Sequence, residues 1–217
     1  VPLGLALSLS LAVLLNMKVP GTSVFRTVFF LPSIVPIVAS SVLWLWVLNP
    51  EGGLINSLLE QLLGIQGPGW IADEHWSKPS LILMSLWAIG GPMVIFLAGL
   101  ADVPPTLYEV AELDGAGAWG KFRNVTLPML TPTILFNLVM GLIVAFQYFT
   151  QVYVMTNGKG TPVDSTMFYA LYLYRASFYY LRMGYASAMA WMLFLVLLLA
   201  TLAVLASSKR WVYYHGE

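Results

Sequence analysis

Cysteine is absent from all 217 residues, so neither disulfides nor thiolate-ligated metals can contribute to this protein, and redox chemistry gives no clue to its compartment. Charge is nearly as scarce. Asp, Glu, Lys and Arg make up 9% of the chain, against roughly 25% in soluble domains. Ten cations balance ten anions, which removes any whole-chain electrostatic argument for nucleic acid. Apolar residues fill the gap: 59% of the chain is hydrophobic and its mean hydropathy is +0.80, the composition of a chain dissolved in a lipid bilayer.

Five runs, approximately 1 to 17, 27 to 48, 79 to 101, 128 to 150 and 185 to 207, contain no Asp, Glu, Lys, Arg or His. The last four reach the length of about 20 residues needed to cross about 30 Å of hydrocarbon. The expectation is an all-α polytopic membrane protein with five transmembrane helices. Residue 1 is Val and the first run starts at once, without the charged segment and cleavage site of a signal peptide, so an N-terminally truncated chain is expected. Pro32, Pro36 and Pro92 fall inside spans and predict kinks, because each removes a backbone donor. The amphipathic stretch Ile55 to Leu63 is expected outside the bilayer.

Missing motifs narrow the function. No Gly-x-x-x-x-Gly-Lys-Ser/Thr phosphate loop is present, so the chain has no such route to cradling ATP. His-Glu-x-x-His, Gly-x-Ser-x-Gly and paired intramembrane Asp are missing too, which weighs against an intramembrane enzyme. His75 and His215 are far apart in predicted loops, so no metal site is expected. Spans without a carboxylate or His also argue against an ion-coupled secondary transporter. A scaffold subunit without transport function remains as a further alternative. Gly115-Ala-Gly117-Ala-Trp-Gly120 satisfies the dinucleotide fingerprint, yet it follows a short polar helix rather than a buried strand.

That segment lies in the most informative part of the chain, a polar stretch over 102–127 between two apolar runs. Asp102 and the prolines after it predict a helix opening, with Asp102 as a cap and a helix from about Pro104 to Leu113. Gly115 then supplies a left-handed or tight turn, and Ala116 to Arg123 forms a second short helix. Small residues Ala111, Gly115, Ala116, Gly117 and Ala118 let another surface approach closely, with Glu109, Lys121 and Arg123 available for charged contacts at its rim. Asn124-Val-Thr126 matches a glycosylation sequon, expected to be accidental on an internal loop.

The spacing Glu109-x-Ala111, Asp114-Gly115-Ala116, Phe122 and Leu127-Pro128 resembles the coupling loop of permease subunits in ATP-binding-cassette importers, with Val110 and Val125 as apolar departures. Phe25-Arg-Thr-Val-Phe-Phe-Leu-Pro32, Phe96-Leu-Ala-Gly-Leu100, Gln151-Val-Tyr153-Val-Met-Thr156 and Gly184-Tyr-Ala-Ser-Ala-Met-Ala190 extend the likeness to the carbohydrate uptake branch, similar to maltose-type and glycerol-phosphate-type permeases. The resemblance implies a type I importer transmembrane-domain fold, here a single domain over 1–217 with five helices of an expected six. It also implies a bacterial or archaeal plasma (inner) membrane location and ATPase coupling through Glu109, Ala111, Asp114, Gly115, Ala116, Phe122, Leu127 and Pro128. The implied partners are a second related permease, two cytoplasmic ATPase subunits that bind ATP and Mg, and an extracytoplasmic solute-binding protein that delivers sugar. No cofactor is expected in this chain.

Cation counts give an orientation. Lys18, Arg26, Lys121, Arg123, Lys209 and Arg210 fall on one side, against Lys78, Lys159, Arg175 and Arg182 on the other. The positive-inside tendency then places the Glu109 loop and the C-terminus in the cytoplasm. A translocation path is predicted on the run from 128 to 150, where Asn137, Gly141, Val144, Tyr148 and Gln151 recur at helical spacing, with Gln147 at the shoulder. Uncharged amides and Tyr suit hydrogen bonds to hydroxyls and stacking on sugar rings, and interhelical hydrogen bonding is the alternative role. Trp87 and Trp191 are further candidates for lining the path or for packing. The spans carry no cation, so a neutral mono- or oligosaccharide is expected rather than a sugar phosphate.

Overall fold

The computed structural model describes residues 1–17 and 20–213; Lys18 and His215, used above, lie outside them. Its helices are α1 (Pro2–Leu15), α2 (Thr22–Ile34), α3 (Ile37–Val47), α4 (Leu54–Leu63), α5 (Ser77–Trp87), α6 (Gly90–Ala101), α7 (Pro105–Leu113), α8 (Ala118–Lys121), α9 (Leu127–Met129), α10 (Thr131–Phe146), α11 (Thr150–Thr156), α12 (Tyr169–Tyr174) and α13 (Met183–Ser208). No strand occurs among the described residues.

Two stretches, Thr131–Thr156 and Met183–Ser208, each of 26 residues, are long and apolar enough to cross a membrane, and two broken pairs, α2 with α3 and α5 with α6, bring the number to four. The fifth expected span differs. α1 has 14 residues, which at about 1.5 Å per residue is shorter than the hydrocarbon thickness. The breaks have the anticipated cause. Pro36 is extended, with φ −54° and ψ 136°, and stands at the N-cap of α3. Pro92 has no N–H for the carbonyl of Ala88, and that carbonyl instead accepts the Ser33 hydroxyl at 3.3 Å. Ser33 Oγ in turn accepts the Gly91 N–H at 3.0 Å, and Ser8 Oγ donates to the Ile89 carbonyl at 3.3 Å. The Ser33 hydroxyl thus satisfies the carbonyl that Pro92 leaves bare in a medium without water.

The chain forms two compact units. The first comprises Val1–Ser33, Ala88–Ile143 and Leu197–Glu217. Its core joins Ala12 and Leu15 of α1 to Met93, Phe96 and Leu100 of α6 and to Leu130. Gly90 is required here. A Cβ on it would collide with the Phe29 carbonyl and lie 2.8 Å from the Phe30 Cα, so α2 approaches at backbone distance. Gly99 likewise admits Thr133, whose Oγ1 would sit 2.6 Å from an added Cβ. Arg26 donates to the Leu15 carbonyl at 2.8 Å, closing the C-terminal end of α1.

The second unit comprises Ile34–Trp87 and Val144–Val196. Trp44 of α3 and its C-cap Leu48, with Trp70, Ile71, Leu81 and Met84, pack with Val152 and Met155 of α11 and with Leu171 of α12. The connection from α4 to α5 is organised by Asn56. Its amide donates to the carbonyls of Pro50 and Pro68 at 3.1 and 3.3 Å, and its oxygen accepts the Trp70 indole N–H at 2.6 Å. A buried amide with three partners fixes a loop that has little regular structure of its own.

Candidate functional site

The polar segment folds as its residue types dictate. α7 begins with Pro105 at its first position, where a missing N–H is not needed by the helix. The cap differs from expectation: the N-cap is Pro104, which makes no side-chain bond, because Asp102 still belongs to the preceding helix as the C-cap of α6. The end of α7 is closed by backbone hydrogen bonds. Gly115 has φ +77°, its N–H donates to the Glu112 carbonyl at 3.0 Å, and the Ala116 N–H reaches the Ala111 carbonyl at 2.9 Å. This pair of bonds is a Schellman motif, which places Ala111, Glu112, Gly115 and Ala116 at its four bonding positions.

Beyond the turn, Gly117 caps α8, a helix of only 4 residues, and a π-helical turn over Phe122–Thr126 leads into α9. The second arm is therefore less regular than the sequence predicted. Two cross-links hold it to α7. The Tyr108 hydroxyl meets Thr126 Oγ1 at 3.0 Å, and Lys121 Nζ pairs with Glu112 Oε1 at 3.1 Å. Lys121 is thus committed within the loop to Glu112, a residue the sequence reading passed over, while Glu109 and Arg123 are exposed at the rim. Thr126, the sequon threonine, is buried. Among the residues expected to couple, Ala111, Ala116, Phe122, Leu127 and Pro128 are half-buried, while Glu109, Asp114 and Gly115 are exposed. Trp119 stacks on Phe122 with ring centroids 5.5 Å apart. The bend presents large apolar groups outward, Leu113 at 89% exposure and Trp119 at 71%.

The predicted path stripe is not one continuous face. α10 stops at Phe146, and Gln147 to Phe149 interrupt the helix before α11. Asn137, Gly141 and Val144 lie on α10, Gln147 and Tyr148 in the interruption, and Gln151 on α11. Asn137 is buried and spends its amide on the Thr133 carbonyl of its own helix at 3.0 Å. Gly141 faces Val1, whose Cγ1 would lie 3.3 Å from an added Cβ. Val144 and Gln147 are exposed. Within the second unit, Tyr148 packs edge-on to Phe168 at 5.6 Å, yet its hydroxyl is buried without a partner. The Trp44 indole N–H shares that condition, and Trp44 meets Trp87 edge to face at 6.0 Å. Such orphaned donors are uncommon. Trp44 escaped the sequence reading because an indole within an apolar run gives no signal. Trp191 is exposed and packs against Phe194.

An all-helical membrane chain with a capped elbow between apolar helices defines a polytopic integral-membrane component that offers one compact polar handle. Residues 4–213 match the model of the binding-protein-dependent transport system inner membrane component. The chain belongs to that family and is the permease component of such a system. It is 42% identical over 224 residues to the probable ABC transporter permease protein YesP of Bacillus subtilis, covering 100% of this chain and 70% of that one. It is 36% identical over 210 residues to the lactose transport system permease protein LacF of Rhizobium radiobacter, covering 94% and 69%. A solved bacterial alginate ABC transporter, in complex with alginate pentasaccharide-bound periplasmic protein, superposes with a TM-score of 0.84 at 25% identity over 96% of this chain and 72% of that one.

Proposed function

We propose that this chain forms half of the translocation path of an ATP-driven sugar importer and is moved by a cytoplasmic ATPase that grips the Gly115 elbow. The observation that carries this reading is the outward display of Leu113 and Trp119 on a bend closed by its own backbone bonds. Exposed apolar and aromatic side chains at a compact protrusion are the anchors expected of a protein interface. Energy then comes from outside the chain: two ATPase subunits hold ATP and Mg, and this subunit has no nucleotide site of its own. A second related permease completes the path, and an extracytoplasmic binding protein delivers the sugar. The elbow and the C-terminus face the cytoplasm of a bacterial or archaeal cell. The whole of 102–127, with Leu127 and Pro128, acts as the coupling element.

The sugar assignment follows the lactose transport system in which the relative LacF serves. A neutral mono- or oligosaccharide suits spans without cations. Tyr148 is the strongest of the path candidates, because its buried hydroxyl has hydrogen-bonding capacity that no described group uses; Asn137, Gly141, Val144, Gln147 and Gln151 complete the proposed lining. The chain's lack of cysteine supplies the test. Leu113→Cys in the assembled complex should crosslink to the ATPase subunit, and its labelling by an impermeant thiol reagent should require access from the cytoplasm. Labelling from outside the cell would overturn both the orientation and the coupling role. ATP hydrolysis stimulated by sugar-loaded binding protein separates the importer from an ion-coupled transporter or a scaffold, neither of which would show it.

A further inference from the structure

Outside the elbow and the path stripe, the second unit carries a concave site of about 220 Å³ lined by Tyr172, Ala176, Tyr180, Arg182 and Tyr185. Pockets for drug-sized ligands run to about 300–1,000 Å³, so this one has room for a single ring. It is an open depression, with Tyr172, Tyr180, Arg182 and Tyr185 all exposed at its rim, and its shape is set by the backbone. A π-helical turn over Arg175–Tyr179 ends with Leu181 at φ +55°, and the Arg182 N–H returns to the Ala176 carbonyl at 2.9 Å. That closure brings Tyr180 and Arg182 to the same rim. Behind them Arg175 donates to the Lys159 carbonyl at 3.0 Å and to the Tyr180 hydroxyl at 2.9 Å, with its guanidinium 5.5 Å from the centres of the Tyr179 and Tyr180 rings. Tyr180 is therefore held in place, and because its oxygen accepts from Arg175, its own proton is free to donate.

Arg182 is different. The one ion pair among the described residues is Lys121–Glu112, and no described side chain or carbonyl takes the Arg182 guanidinium. Three phenol rings and an uncommitted planar donor fork around a one-ring depression match the needs of a pyranose: a flat C–H face to stack on an aromatic ring, and hydroxyls to accept N–H bonds. From these features we infer that Tyr172, Tyr180, Arg182 and Tyr185 form a carbohydrate subsite that receives one sugar ring before it enters the membrane-spanning path. The inference rests on the sugar-importer reading and deepens it by placing a ring-binding site in the 151–184 connection and the start of α13, outside the charge-free spans.

The test uses the complete importer in proteoliposomes with its loaded binding protein, offered lactose, maltotriose or alginate pentasaccharide. Arg182→Gln should lower the maximal uptake rate of the transported sugar about fivefold or more, while the half-saturating concentration of loaded binding protein stays within about twofold. Arg182→Lys should recover less than half of that loss, since an ammonium lacks the planar fork. Tyr185→Ala should reproduce the Gln effect, with the amount of assembled complex recovered from the membrane equal in all three. Full activity of Arg182→Lys beside an impaired Arg182→Gln would instead mark a cationic anchor to lipid headgroups and overturn the subsite. So would normal uptake in every variant. Failure of the unmodified importer to take up any of the three sugars would bring down the sugar reading itself, and the subsite with it.

Discussion

The elbow at Gly115 and the interrupted helix at Gln147 to Phe149 are both places where a helix stops, yet they stop for different reasons. At Gly115 the N–H groups of Asp114, Gly115 and Ala116 each find a carbonyl on α7, and an ion pair and a hydroxyl pair join the arms. At Tyr148 the chain breaks without a glycine or proline between 142 and 157, and leaves a buried hydroxyl unused. A self-satisfied bend can be handed to a partner as a solid object. An unsatisfied one keeps hydrogen-bonding capacity in reserve, which the proposed path for a hydroxyl-rich solute would use.

Substitutions can break this contrast. The largest effect is expected for Gly115→Pro, which forces φ to about −65° where +77° is needed and deletes the N–H that bonds Glu112. Sugar uptake by whole cells should fall by roughly a hundredfold, with membrane insertion intact. Normal uptake would show that the bend does not couple. Next comes the double change Leu113→Asp with Trp119→Ala, which removes the apolar display. ATPase subunit recovered with the affinity-purified permease should drop about tenfold; undiminished recovery would move the interface elsewhere.

On the other side of the comparison, Gln147→Ala with Tyr148→Ala should leave stimulation of ATP hydrolysis by loaded binding protein within about twofold, while sugar preference shifts about three- to tenfold. Unchanged specificity would take these residues out of the path. The smallest effect belongs to Lys121→Met. Its ion pair is partly exposed, and such pairs contribute about 0–1 kcal/mol, so uptake should change by less than about twofold and the melting temperature of the complex by a few degrees at most. A collapse of coupling in that variant would mean that the arms are held by charge rather than by the backbone closure.

The same contrast explains what could be read from residues alone. Helix α7, the turn at Gly115 and the breaks at Pro36 and Pro92 were all legible, because each depends on groups a few positions apart. The placement of Asp102 was misread because its outcome depends on how far α6 runs, which is set by packing of Phe96 and Leu100 into the core of the first unit. The Glu112–Lys121 pair depends on the chain folding back, and spacing alone assigned Lys121 to the rim. The stripe from Asn137 to Gln151 assumed one uninterrupted helix, and no local residue warned of the break. Trp44 was invisible for a related reason: an indole in an apolar run reads as packing until its N–H is found without a partner.

The Schellman closure at Gly115 also has a mechanical meaning. A joint with two short backbone bonds at its apex has little compliance, so a push on Leu113 or Trp119 is transmitted as rotation of the whole arm rather than being lost in bending. In the proposed coupling role, the stiffness of that joint, more than the strength of any single contact, would set how much of an engine's stroke arrives at the bilayer.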